Sequence, residues 1–174
     1  AVASLLVFVR IERRAPEPLI PLSLFHDRVF NVAASQGFLT GFALFGSSAF
    51  IPLFAQAVLG KTPAEAGLIL TPQIIGWVIA STAGAPFILR VGYRPVLLAG
   101  MTAMTIGSFM MARLSMDTTV PYLIFAQFLA GAGMGISVTA LLIAAQNRVT
   151  RSRMGATTST LTFSRSLGGT IGVS

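Results

Sequence analysis

Very few side chains in this sequence could do chemistry inside an apolar setting. They are the amides Gln36, Gln73 and Gln127, the indole Trp77 and one guanidinium, Arg165. Gln73 and Trp77 are four residues apart, which places both on one face of a helix. Amides, an indole and nearby hydroxyls hold a molecule by hydrogen bonds and aromatic contact; they do not break it. There is no cysteine, which excludes a disulfide framework and thiolate chemistry. The single histidine, His26, falls in a charged, proline-containing stretch and reads as solvated. Met101, Met104, Met110 and Met111 read as adaptable packing, because methionine-based metal paths usually recruit Cys or His as well. No nucleophile–base pair and no set of metal ligands can be assembled, so neither an enzyme, a metal site nor a cofactor is expected.

The elements that would carry these residues are set by the placement of charge. Residues 29–60, 66–89, 95–112 and 118–147 contain no Asp, Glu, Lys, Arg or His. At 1.5 Å of rise per residue, each such stretch can cross a hydrocarbon core of about 30 Å as a helix. Composition agrees: 54% hydrophobic and 10% charged residues lie far from the roughly 25% charged usage of soluble domains. The expected fold class is an all-α membrane protein with four full transmembrane helices at about 31–58, 64–89, 95–112 and 120–147. Two truncated ones are expected at 1–10 and 155–174, and 11–28 reads as a cytoplasmic connector.

Basic residues alternate in density from gap to gap. Arg10, Arg13, Arg14, Arg28, Arg90, Arg94, Arg148, Arg151 and Arg153 fall on one side of the expected threading, and only Lys61 and Arg113 on the other. This is the positive-inside pattern, with the arginine-rich loops in the cytoplasm. It accounts for the net charge of +7 through contact with anionic membrane lipid. No basic patch is interleaved with exposed aromatics, so nucleic acid is not an expected partner.

Small residues mark where helices should approach closely. Gly37 and Gly41 form a G-x-x-x-G pair, Gly76, Ala80 and Gly84 a second seam, and Gln127, Gly131 and Gly135 a third. Gly168 and Gly169 continue the theme near the end of the sequence. Pro52 should kink the first span. Thr62 can cap the next helix with Pro63 in its first turn. The link from Arg90 to Pro95, containing Gly92 and Arg94, is so short that the spans beside it must be antiparallel neighbours. Arg165 lies twelve residues beyond Arg153, roughly 18 Å along a helix. A charge that deep costs about 2.5–3.5 kcal/mol on insertion scales. It therefore faces an aqueous cavity, or the segment before it lies shallow; the hydroxyl-rich turn from Thr157 to Ser164 favours the cavity.

Three blocks together resemble a known family. They are Arg13-Arg14-x-Pro16-x-Pro18-x-x-Pro21-Leu22-x-Leu24-Phe25, then Phe50-Ile-Pro52-Leu-Phe54-x-Gln56-x-Val58-Leu59-Gly60-x-x-Pro63-x-x-Ala66-Gly67, and last Gly155-Ala156 followed by Phe163-Ser-Arg165-x-Leu167-Gly168-Gly169-x-x-Gly172. They look like the 14-helix drug:proton antiporter branch of the major facilitator superfamily. The resemblance implies a fragment of the C-terminal half of an exporter of hydrophobic or cationic drugs, working by alternating access in the plasma or inner membrane. It also implies that Gln36, Gln73, Trp77, Gln127 and Arg165 border the substrate pathway, with the methionine-rich span peripheral. Arg90, Gly92 and Arg94 resemble the family's gating loop, but Ala85 and Leu89 stand where its glycine and acid are expected. Proton coupling would rest on the N-terminal half, since none of the spans here carries an Asp, Glu or His. A transporter of another small solute, such as a metabolite, and a non-transporting scaffold are the alternative readings.

Overall fold

The computed structural model describes residues 22–174, so the expected span at 1–10 and most of the connector at 11–28 lie outside the described residues. A short 3₁₀ turn, Leu22–His26, leads into α1, Arg28–Ala57. Asp27 caps it, its Oδ1 accepting from the Val29 N–H at 2.7 Å, which satisfies one of the free donors of the first turn. The helix runs through Pro52 without interruption. A capping box at Thr62 and Glu65, with Pro63 in the first turn, starts the six-residue α2, Pro63–Leu68.

The span expected at 64–89 is not one unbroken helix. The chain turns at Ile69 and Leu70 and restarts as α3, Thr71–Val91. Pro72 is the physical reason: it has no N–H to give, and its ring crowds the carbonyl four residues earlier. Tightened bonds from Leu70 N to Gly67 O and from Gln73 N to Leu70 O carry the chain through the turn. The stretch Pro63–Ile88 still has the length and hydropathy to cross a membrane, as do Arg28–Ala57, Tyr93–Ala112 and Val120–Gln146.

Between α3 and α4, Tyr93–Ala112, stands only Gly92. Its φ of 83° lies in the left-handed region that a side chain would make costly. Then follow α5, Val120–Gln146, a 3₁₀ turn at Arg151–Arg153, and α6, Met154–Val173.

Glycines fix the packing register. Gly131 lies against Gln73 and Gly135 against Trp77, so α5 runs parallel to α3. Gly133 meets Met104 while Gly100 meets Ser137 and Gly107 meets Ala130, so α4 runs antiparallel to both. On the other side Gly41 meets Arg165, Gly168 meets Phe38 and Gly172 meets Phe42, making α1 and α6 parallel partners. The expected antiparallel order of α3 and α4 is met, yet each packs chiefly on α5 and only lightly on the other. The bundle is thus a pair, α1 with α6, beside a triplet in which α5 is central.

Each buried apolar cluster includes residues of α5. Leu123 joins Ile51, Ala55, Ala66 and Ile69; Leu141 and Ala145 join Ala33; Ala140 joins Ile88 and Val96. Large apolar side chains such as Leu39, Phe50, Leu53, Ile74 and Phe125 point outward, as helices surrounded by lipid require.

Candidate functional site

The α1–α6 contact brings the first two candidates together. A methyl group at Gly41 would lie 1.9 Å from the Arg165 carbonyl oxygen, so only a residue without a side chain lets the two backbones meet there. As a result Gln36 and Arg165 line one small cavity of about 110 Å³, with Gly37, Leu141, Thr158 and Thr162. Arg165 is half-buried and has no acidic partner among the described residues. Its guanidinium instead lies over the Trp77 ring, Cζ 5.9 Å from the centroid, within range of a cation–π attraction. That contact crosses from the helix pair to the triplet.

Gln73 and Trp77 line a second cavity of about 430 Å³ with Leu44, Phe45, Ser48 and Ile74. Gln73 is only 2% exposed, and its Nε2 donates to Ser47 Oγ on α1 at 3.1 Å. The Ser47 hydroxyl donates in turn to the Leu44 carbonyl at 2.9 Å. Gln36 Nε2 reaches Thr40 Oγ1 at 3.4 Å and Met104 Sδ at 3.6 Å. Met104 belongs to the helix implied to be peripheral; with Met101, Ser108, Phe42 and Phe50 it lines an apolar groove of about 940 Å³ between α1 and α4.

Gln127 differs from the other four. It is fully buried, and neither its Oε1 nor its Nε2 has a hydrogen-bond partner among the described residues. It lines none of the three cavities above. Ser137 Oγ is buried and unpartnered in the same way.

The sequence matches the profile of the Major Facilitator Superfamily over residues 3–173. The chain belongs to that superfamily. Among its relatives, the "Multidrug transporter protein MdtP" of Bacillus subtilis is 33% identical over 99% of this chain and 32% of its own length. The "Multidrug resistance protein 3" of the same organism is 35% identical over 97% of this chain and 33% of its own. A "Tetracycline resistance determinant" of Streptomyces rimosus is 28% identical over 98% and 50%. The chain therefore spans about a third of the length of the first two relatives. As a partial helical bundle of this superfamily it is a membrane protein, consistent with the four stretches among the described residues that are long and apolar enough to span.

In this major facilitator chain the glycines assigned to packing differ in how tightly they are held. Gly168 stands against the Phe38 carbonyl, Gly131 against that of Gln73 and Gly135 against that of Trp77, each with no room for a methyl group. Gly169 faces the movable Phe45 ring, and a methyl group at Gly37 would come no nearer than 3.4 Å to the Leu161 carbonyl. In the loop that resembles the gate, Arg90 occupies the last turn of α3, where a cation suits the helix dipole. Arg94 opens α4 and is exposed. An acid does come near this loop, though not from within it: Asp27 Oδ2 lies 3.9 Å from Arg148 Nη1, and both share a groove with Arg94. Asn147 Nδ2 donates to the Tyr93 hydroxyl beside them. Sequence reasoning missed Asp27, Ser137 and the pairing of Ser47 with Gln73. Asp27 was visible as a capping residue; that Ser47 meets Gln73 and that Ser137 is buried without a partner depend on which helices meet.

Proposed function

We propose that this chain is part of the C-terminal helical bundle of a secondary transporter that exports hydrophobic or cationic drugs and toxic compounds from the cell. Export occurs across the plasma or inner membrane, in exchange for protons, as two helical bundles rock around a midplane cavity. The observation that carries this reading is the Arg165 guanidinium resting over Trp77, in a superfamily member whose relatives bear multidrug names. An indole face that holds one cation attracts another by the same quadrupole, so a lipophilic cation can take the place of Arg165 there. Gln36 and Gln73, each lining its own cavity, supply amide contacts that adapt to varied shapes. The apolar stretches 29–60, 66–89, 95–112 and 118–147 hold no Asp, Glu or His, so the proton-binding acid belongs to another part of the transporter.

The test uses the full-length parent in cells lacking their own exporters, loaded with a fluorescent lipophilic cation. Export that collapses on addition of a proton uncoupler is expected, and accumulation unchanged by deletion of the transporter refutes the reading. Arg165→Ala should cut transport while membrane insertion stays intact. Trp77→Ala should raise the half-saturating concentration of the cationic dye by roughly 2- to 30-fold, the equivalent of about 0.5–2 kcal/mol of cation–π attraction, and affect a neutral dye less.

A further inference from the structure

A groove of about 850 Å³ with a charged rim opens at the arginine-rich end of the bundle and meets the smaller Arg165 cavity at Leu141. Its rim carries Arg28, Arg94 and Arg148 from three different helices or their ends, with His26 exposed beside them. One carboxylate answers the three guanidiniums. Asp27 spends Oδ1 on the Val29 N–H and Oδ2 on a long 3.9 Å contact with Arg148. Arg28 and Arg94 have no ion-pair partner among the described residues. Among the described residues the rim therefore holds a surplus of two positive charges.

Deeper in, the same three helices turn apolar. Arg28 is followed one turn on by Val32, Arg94 by Leu97, and Arg148 is preceded by Ala144 and Leu141, all lining the one groove. A turn is about 5.4 Å along each axis. Passing down the groove, a ligand meets cations and the polar Tyr93 and Asn147 side chains first, then hydrocarbon. That order matches a phospholipid, phosphate outermost and acyl chains inward. A soluble phosphate would use the rim alone.

The geometry points to a binding site for the phosphodiester headgroup of an anionic phospholipid, held by Arg28, Arg94 and Arg148, with its acyl chain along Val32, Leu97 and Leu141. Basic pockets between membrane helices hold such headgroups by charge at a surface already enriched in them. Its arginines are not part of the Arg165–Trp77 cluster, although the groove shares Leu141 with the Arg165 cavity, and its existence does not depend on what the transporter carries.

The experiment takes the purified full-length transporter, stripped of lipid in detergent, and titrates it with phosphatidylglycerol, phosphatidylcholine or sn-glycerol phosphate under native mass spectrometry. Phosphatidylglycerol should be retained at least fivefold better than phosphatidylcholine. Each arginine near a membrane surface contributes about fivefold, so Arg94→Gln with Arg148→Gln should lower that affinity by about 25-fold. Arg113→Gln, an arginine that lies over the Phe109 ring and outside the groove, should leave it unchanged. Asp27→Asn should tighten phosphatidylglycerol binding, a gain that damage to the fold would not produce. Equal retention of the two lipids, a double variant that behaves like Arg113→Gln, or weaker binding in Asp27→Asn overturns the inference. Glycerol phosphate binding as tightly as phosphatidylglycerol also overturns it, by showing a site for soluble phosphate.

Discussion

Replacing Gly131 by alanine tests whether the bundle depends on backbone contact at the centre of the triplet. The added methyl carbon would lie 2.0 Å from the Gln73 carbonyl oxygen, about 1.4 Å short of the 3.4 Å at which ordinary contact begins. Flexible side chains do not absorb this, because the obstacle is the backbone of α3. Nor can α5 retreat freely, since on its other flank Gly133 is already pressed against the Met104 backbone, 2.3 Å from the nitrogen for a methyl group. Overpacking a tight core costs about 1–3 kcal/mol, and a site clamped from both sides belongs at the upper end. For a cooperative unit of 150–250 residues about 3 kcal/mol corresponds to a fall of roughly 6–12 °C in the melting midpoint, and for the longer full-length protein to a smaller fall. Differential scanning fluorimetry of the purified full-length protein reads it. Gly155→Ala is the control, because nothing stands within 4 Å of its new methyl group; it should melt within about a degree of the parent or above it, alanine being the better helix former. If Gly131→Ala melts with Gly155→Ala, the close approach of α3 and α5 is wrong, and the register built on it falls.

Two further expectations concern the buried amides. Gln127→Met should stabilise the protein, because a buried amide without partners costs about 1–3 kcal/mol that an apolar residue of similar volume does not. A lower melting midpoint would mean that Gln127 is bonded after all, and loss of transport with a raised midpoint would mark it as a contact for substrate. Gln73→Leu and Ser47→Ala, measured singly and together, should show a coupling of about 0.6 kcal/mol and no more than about 1.7 kcal/mol, the range for hydrogen bonds between membrane helices. A coupling of zero would show that the 3.1 Å contact contributes nothing.

What could be read before the fold was known follows from how local each signal is. Charge-free stretches marked the spans because a hydrocarbon core rejects ions along the whole of a segment. Helix starts at Thr62–Pro63 were legible because capping is settled within four residues. The break at Ile69–Leu70 carried a signal, Pro72 in the first turn of α3, which the continuous hydropathy of the region hid. The glycine seams were visible as seams, but their partners were not. Nothing local says that Gly131 meets Gln73 while Gly133, two residues on, meets Met104. Ser47 as the partner of Gln73 and Asp27 as that of Arg148 are hidden for the same reason, since each joins segments far apart in sequence.

The pairing of α1 with α6 has a consequence for biosynthesis. Ser164 Oγ donates to the Ala34 carbonyl at 2.7 Å, across 130 positions of sequence. At ribosomal speeds of about 5–20 residues per second, α1 waits roughly 6–26 s for its mate to leave the ribosome. Throughout that interval its glycine-lined flank is without α6. The earliest of these helices to enter the bilayer is thus among the latest to be completed. A substitution on that flank should show itself first as degradation of the newborn chain.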